Sequence, residues 1–218
     1  MILKNIHKFF VVAVIVVLLT PSLAIGATIK VAEELSVTEG NIHDNVYAAG
    51  GNVSINSIVF GDLLVVGGNV LISDDVSEDL LAVGGAITVL GESGGDMRVV
   101  GGNVLIADDV SGELVVVGGA ITISSDVVVK KDLIVLGGQV VLDGIVNGDV
   151  QITGGVVTIN GKVGGDISAE IKDKLTLGDG AVIGGNLDYS AKSDDLLQVN
   201  EGAIIRGETI FNKVEGVD

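Results

Sequence analysis

The chain has 218 residues, 33 of them glycine, with no cysteine, one proline and 3% aromatic residues. That length leaves room for one domain, the absent cysteines exclude a disulfide frame and a thiolate metal site, and the scarce aromatics leave a core of small aliphatic side chains. A formal charge of −17 opposes contact with nucleic acid, and none is expected as a partner.

Residues 1–26 differ in character from the rest of the chain. Lys4, His7 and Lys8 give a basic start, residues 9–19 are an unbroken apolar run, and small residues follow from Ser22 to Ala27. This is the layout of a secretory signal peptide. The run is shorter than the ~20 apolar residues of a membrane span, and an N-terminal anchor is the alternative reading. Either way the protein is expected to be exported, to the periplasm or the cell surface. Cleavage would remove Lys4 and Lys8 and no acid, deepening the negative charge.

Residues 28–44 place Ile29, Val31, Leu35, Val37 and Ile42 at uneven intervals, as an irregular first coil or cap. From residue 45 a unit of 17 residues recurs. Its double glycines fall at Gly50-Gly51, Gly67-Gly68, Gly84-Gly85, Gly101-Gly102, Gly118-Gly119, Gly137-Gly138 and Gly154-Gly155, spaced by 17 except for one interval of 19. A fixed period of this kind means stacked units rather than a globular core.

Within each unit apolar residues alternate over two short runs. One column holds Val46, Leu63, Leu80, Met97, Leu114, Leu133, Val150 and Ile167; another holds Ile55, Ile72, Val89, Ile106, Ile123, Leu142 and Ile159. Period two over four or five residues signals strand. Seventeen residues are too few for a propeller blade, so each coil must pair with the coils above and below, ~4.8 Å away. The fold class is therefore all-β: a parallel β-helix, or β-solenoid, of roughly ten coils of ~17 residues. The glycine pairs are expected at corners, where positive φ carries no Cβ penalty. The two extra residues of the long interval are expected as a corner bulge at residues 128–131.

Residues 145–170, IVNGDVQITGGVVTINGKVGGDISAE, followed by GAVIGGNLDYSA (180–191) and GAIIRGE (202–208), resemble a bactofilin domain. The resemblance is most specific over the last 75 residues and looser from Asn45 onward, so that 45–212 reads as a bactofilin-like β-helix. It implies a right-handed β-helix that polymerises head to tail into filaments without nucleotide, as a cytoskeletal scaffold near the cell envelope. The export signal departs from the family, whose typical members are cytoplasmic.

Stacking turns each repeated position into a ladder. Asp62, Asp79, Asp96, Glu113, Asp132, Asp149 and Asp166 form a carboxylate column, read as strand-entry caps on backbone N–H groups. Asp75, Glu92, Asp109 and Asp126 form a second, which is the candidate for Ca²⁺ because Asp74 and Asp108 double two rungs. Otherwise no metal or cofactor is expected. A third ladder is apolar and faces outward by alternation: Leu64, Leu81, Val115 and Ile134, interrupted by Arg98, beside Val66, Val83, Val100, Val117 and Leu136. Nine aliphatic side chains on one outer face exceed what a monomer ordinarily exposes, and they are the candidate lateral contact. Only His7 and His43 could serve as an imidazole base, so no enzyme is expected.

These features suggest a structural protein that assembles with itself by end-to-end stacking at the cell envelope, with membrane or envelope components as further partners. The alternative is an extracytoplasmic adhesin or binding module that uses an outer face of the solenoid.

Overall fold

The computed structural model describes residues 27–38 and 40–214; the signal peptide expected at 1–26 lies outside them. The chain is all-β, a parallel solenoid of about ten turns. Seven successive coils each contribute one ten-residue strand, at Val46–Ile55, Leu63–Ile72, Leu80–Val89, Met97–Ile106, Leu114–Ile123, Leu133–Leu142 and Val150–Ile159. Every pairing between neighbours is parallel, and equivalent residues of the 17-residue unit are hydrogen-bond neighbours. A shorter third side closes each coil, as single bridges from Ile42 to Val129 and then as two-residue strands to Ile204–Ile205.

Alternation along the strands sorts side chains into an inside and an outside. Positions equivalent to Leu80, Ala82, Ile87 and Val89 are buried in coil after coil, and Val59, Val76 and Val110 close the interior from the third side. The column through Ala82 runs Ala48, Val65, Ala82, Val99, Val116, Val135, Ile152, Ala169, Tyr189 and Phe211. Small and β-branched residues thus fill this column, beside buried columns of larger Leu, Ile and Met, and two aromatic rings plug its C-terminal end, with centroids 5.3 Å apart.

The double-glycine corner is demanded by contact between coils. A Cβ on Gly102 would lie 2.8 Å from the carbonyl oxygen of Gly85, and one on Gly85 would lie 2.8 Å from that of Gly68. Both are closer than real Cβ atoms come to backbone. No glycine among the described residues has a φ in the left-handed region, so the expectation of positive φ at these corners is corrected. Glycine is needed because bare backbone stacks on bare backbone.

The long interval is also placed differently. Val110 pairs with Val129, and Leu114 pairs with Leu133, so residues 129–133 keep the regular spacing. The two extra residues lie earlier, in a turn where the Val127 N–H donates to the Ser124 carbonyl at 3.1 Å. The same turn recurs at Ala181 to Gly178 and at Ala203 to Asn200. Later coils are longer for this reason, because the register shifts between Gly154 and Val156 against Ile167–Leu177, and because two further residues enter the last full coil around the 3-10 turn Asp194–Leu196.

Residues 28–44 form a coil in register with the next. Thr28–Val31 pairs with Val46 to Ala49, Glu34–Val37 pairs with Asn52 to Ile55, and Ile42 bridges Val59.

Candidate functional site

Three ladders on the outside of the solenoid could carry function. The first is the carboxylate column. Asp79 N–H donates to Asp62 Oδ1 at 3.2 Å, Asp96 N–H to Asp79 Oδ1 at 2.8 Å, and Glu113 N–H to Asp96 Oδ1 at 3.0 Å. The pattern continues from Asp149 to Asp132 and from Asp166 to Asp149, both at 2.8 Å. Each of these aspartates therefore caps the same position one coil further on, rather than the entry to its own strand. This chain of charge-assisted bonds offsets the repulsion of stacked carboxylates.

The ladder also explains the Gly-Asp pairs of the sequence. A Cβ on Gly95, Gly112, Gly148 or Gly165 would fall 2.0 to 2.3 Å from the Oδ1 of the aspartate below. Glycine leaves room for the carboxylate to reach the N–H. Asp79 follows Glu78 instead of glycine, and its bond to Asp62 is the longest of the ladder. Asp132 follows Lys131, and no such bond joins it to Glu113 among the described residues.

Asp96 is held below the usual carboxylate range, first by the Glu113 N–H and then by Arg98, against the opposing effect of burial. Its contribution to stability is present above the ordinary carboxylate value and is lost as pH falls through the lowered one. Arg98 lies 3.0 Å from Asp96, so the one cation on the apolar face is turned aside to the acid ladder.

The second ladder is the Ca²⁺ candidate. Asp75, Glu92 and Asp109 do stack, but Asp126 does not join them. Val128 takes the next rung, because its carbonyl accepts from the Val110 N–H as the Asp109 carbonyl accepts from Ser93. Asp126 sits in the extra turn, a displacement caused by the two inserted residues. The three true rungs are already engaged. Asp75 Oδ1 accepts from the Glu92 N–H at 3.0 Å, Asp109 Oδ1 accepts from the Val128 N–H at 2.7 Å, and Glu92 Oε1 lies 3.5 Å from Lys130 Nζ. Among the described residues no group of three or more His, Cys, Asp or Glu is gathered as a metal site. The melting temperature is expected to be the same with Ca²⁺ and with chelator; a rise of several degrees with Ca²⁺ would restore the ladder as a cation site.

The third ladder is the apolar face. Leu64, Leu81, Arg98, Val115 and Ile134 are successive register partners, as are Val66, Val83, Val100, Val117 and Leu136. All point away from the core. Val66, Val100 and Leu136 are 43%, 44% and 50% exposed, while Leu64, Leu81, Val83, Val115, Val117 and Ile134 are half-buried by their neighbours. The first coil extends the face, since Ile29 pairs with Tyr47 and Val31 with Ala49, and Tyr47 and Ala49 pair with Leu64 and Val66. Ile29 and Val31 are 73% and 75% exposed, the two most open large aliphatic side chains described. Beyond Leu136 the columns turn polar at Gln151 and Thr153.

His43 stacks flat on Phe60 of the next coil, with ring centroids 4.8 Å apart. Where the glycine corner gives way to Ile171, Lys172 and Asp173, a depression forms against Leu136, Lys192 and Val214. Among the described residues no helix is long and apolar enough to cross a membrane.

The stacked coils, their continuous inner columns and their three outer ladders define a parallel β-solenoid protein. No protein family matches the chain, and comparison with curated proteins and with solved structures found no match.

Proposed function

We propose that this protein is a structural scaffold that assembles with itself by end-to-end stacking of solenoids, exported to the cell envelope. The observation that carries this is the state of the two ends. Thr28–Val31 and Thr209–Lys213 are the terminal strands of the larger sheet, and among the described residues no strand pairs with their outer edges. Thr28 and Ala32 donate their N–H groups inward to Asn45 and Ala49, so those of Ile29 and Val31 point outward by strand parity. At the far end Val214 donates inward to Ala191, which leaves the Phe211 and Lys213 N–H groups facing outward by the same parity. Open parallel edges are templates for another strand, and both edges here belong to the same repeating pattern. The resemblance to bactofilins supports the same reading, and so does the residue 1–26 layout for export. The apolar outer face supplies a lateral contact between stacks.

The purified protein is expected to form filaments under the electron microscope without nucleotide or added metal. Val31→Pro removes an outward N–H and keeps every inward bond of the first coil. It should leave melting unchanged, within about 0.5 kcal/mol, and abolish the filaments. Dispersed wild-type monomers at high concentration would sink the scaffold. They would favour a binding module instead, with the depression beside Leu136 and Lys192 as its first candidate contact.

A further inference from the structure

The apolar outer face has two unlike borders. Along one side runs the carboxylate ladder, with Asp62, Asp79, Asp96, Glu113 and Asp132 two residues before Leu64, Leu81, Arg98, Val115 and Ile134. Along the other, over the same five coils, runs the double-glycine corner from Gly67-Gly68 to Gly137-Gly138, which carries no charge and no side chains. Just beyond it amides alternate with alanines, Asn69, Asn103 and Gln139 with Ala86 and Ala120, and Asn69 Nδ2 donates to Asn52 Oδ1 at 2.6 Å.

Two copies meeting through this face by two-fold symmetry have two choices of axis within the plane of contact. An axis across the solenoids makes them antiparallel and lays each acid ladder against the same ladder of the other copy. Opposed like charges suppress that pairing. An axis along the solenoids makes them parallel and exchanges the two borders. Each acid ladder then meets an uncharged glycine corner and its amides, which offer N–H donors. The Leu81 column of one copy faces the Val83 column of the other at the same height.

We infer that the face is a contact between two copies of this chain running in the same direction, with the two-fold axis along the solenoid. The five coils from Leu64 to Leu136 at ~4.8 Å and four residues at ~3.3 Å give a patch of roughly 300 Å² per copy. That is well under half the ~800 Å² per partner of a standard stable interface. Single solenoids therefore pair weakly, and the contact accumulates when they are stacked end to end. The stability of the pair rests on the stacking reading, whereas its orientation does not.

The chain contains no cysteine, so single cysteines report cleanly. Leu64→Cys and Val66→Cys copies carrying tags of different size are mixed and treated with a short bismaleimide, beside a mixture of Leu64→Cys and Ile134→Cys copies. The first mixture should give at least tenfold more mixed dimer, and adding Val83→Lys with Val117→Lys should abolish it while melting is unchanged. The reverse ratio would establish antiparallel pairing and overturn the inference. Filaments that form with no cross-linking in either mixture would also overturn it, leaving end-to-end stacking intact and the face to another occupant. Cross-linked Leu64–Val66 dimers without filaments would uphold the parallel pair and sink the stacking reading.

Discussion

Gly161→Ala is expected to destabilise the solenoid by about 3 kcal/mol, the upper end for forcing atoms into a packed site. The new Cβ would lie 1.8 Å from the carbonyl oxygen of Gly144, one coil below. That oxygen belongs to backbone whose neighbours are tied on both sides: the Gly144 carbonyl accepts from the Lys162 N–H, and the Ile145 N–H donates to Val127. Relief requires the two coils to separate, and separation breaks hydrogen bonds along the short side. Gly148→Ala supplies the contrast. Its Cβ would meet Asp132 Oδ1 at 2.1 Å, and a carboxylate can rotate away; the Lys131 carbonyl oxygen, at 2.8 Å, is a far shallower backbone clash than the one at Gly161. The cost is then the bond from the Asp149 N–H, about 1 to 2 kcal/mol, plus a small backbone shift. Gly40→Ala meets nothing within 4 Å and should change stability by less than about 0.5 kcal/mol. Denaturant melts of the three variants measure the order directly. Equal effects at Gly161 and Gly40 would contradict the role of glycine as a spacer between coils.

Tyr189→Ala should cost about 3 to 5 kcal/mol, the range for emptying a large buried ring site. Tyr189 is 1% exposed, lies in the column between Ala169 and Phe211, and donates its phenol to Asp194. Truncation opens a cavity in the last full coil and leaves Phe211 without its ring partner. Coils contact only their neighbours, so the damage should stay local. Proteolysis is expected to trim the last two coils and spare the rest, whereas uniform digestion would show that the aromatic plug is not what closes this end. Tyr189→Phe keeps the ring and loses only the hydroxyl bond. Burial, and then the bond to Asp194, raise the Tyr189 phenol to about 12. Because the folded value is the higher one, its contribution to stability is present below 10.0 and is lost as pH rises toward 12. Tyr189→Phe should remove that loss at alkaline pH.

The inner columns and the outward face are legible in the sequence because the 17-residue period and the strand alternation both survive five mutually similar coils. Hidden from the sequence are contacts between residues a whole coil apart. Read locally, a glycine pair suggests a backbone that turns through positive φ; stacked, it is a place where one carbonyl approaches the Cα of the next coil. The Gly-Asp pairs likewise look like turn residues until Asp132 Oδ1 is seen to occupy the space above which Gly148 sits. Counting forward from Asp109 by the period misplaces Asp126, because it ignores the inserted turn. Burial of both Val127 and Val129 is the signal that two residues were added before the short side. The first coil looks irregular because Thr28 and Lys30 hold positions equivalent to the buried Val46 and Ala48. Their polarity masks the alternation that puts Ile29 and Val31 on the apolar face.

End-to-end stacking makes one geometric demand above the others: the hydrogen-bond direction between coils must run along the filament. Aligned filaments should therefore give a ~4.8 Å reflection on the meridian, and helical reconstruction should give an axial rise of roughly 50 Å per subunit, ten coils at that spacing. A ~4.8 Å reflection on the equator, or a rise well below the length of the solenoid, would show that the ends do not meet and contradict the proposal.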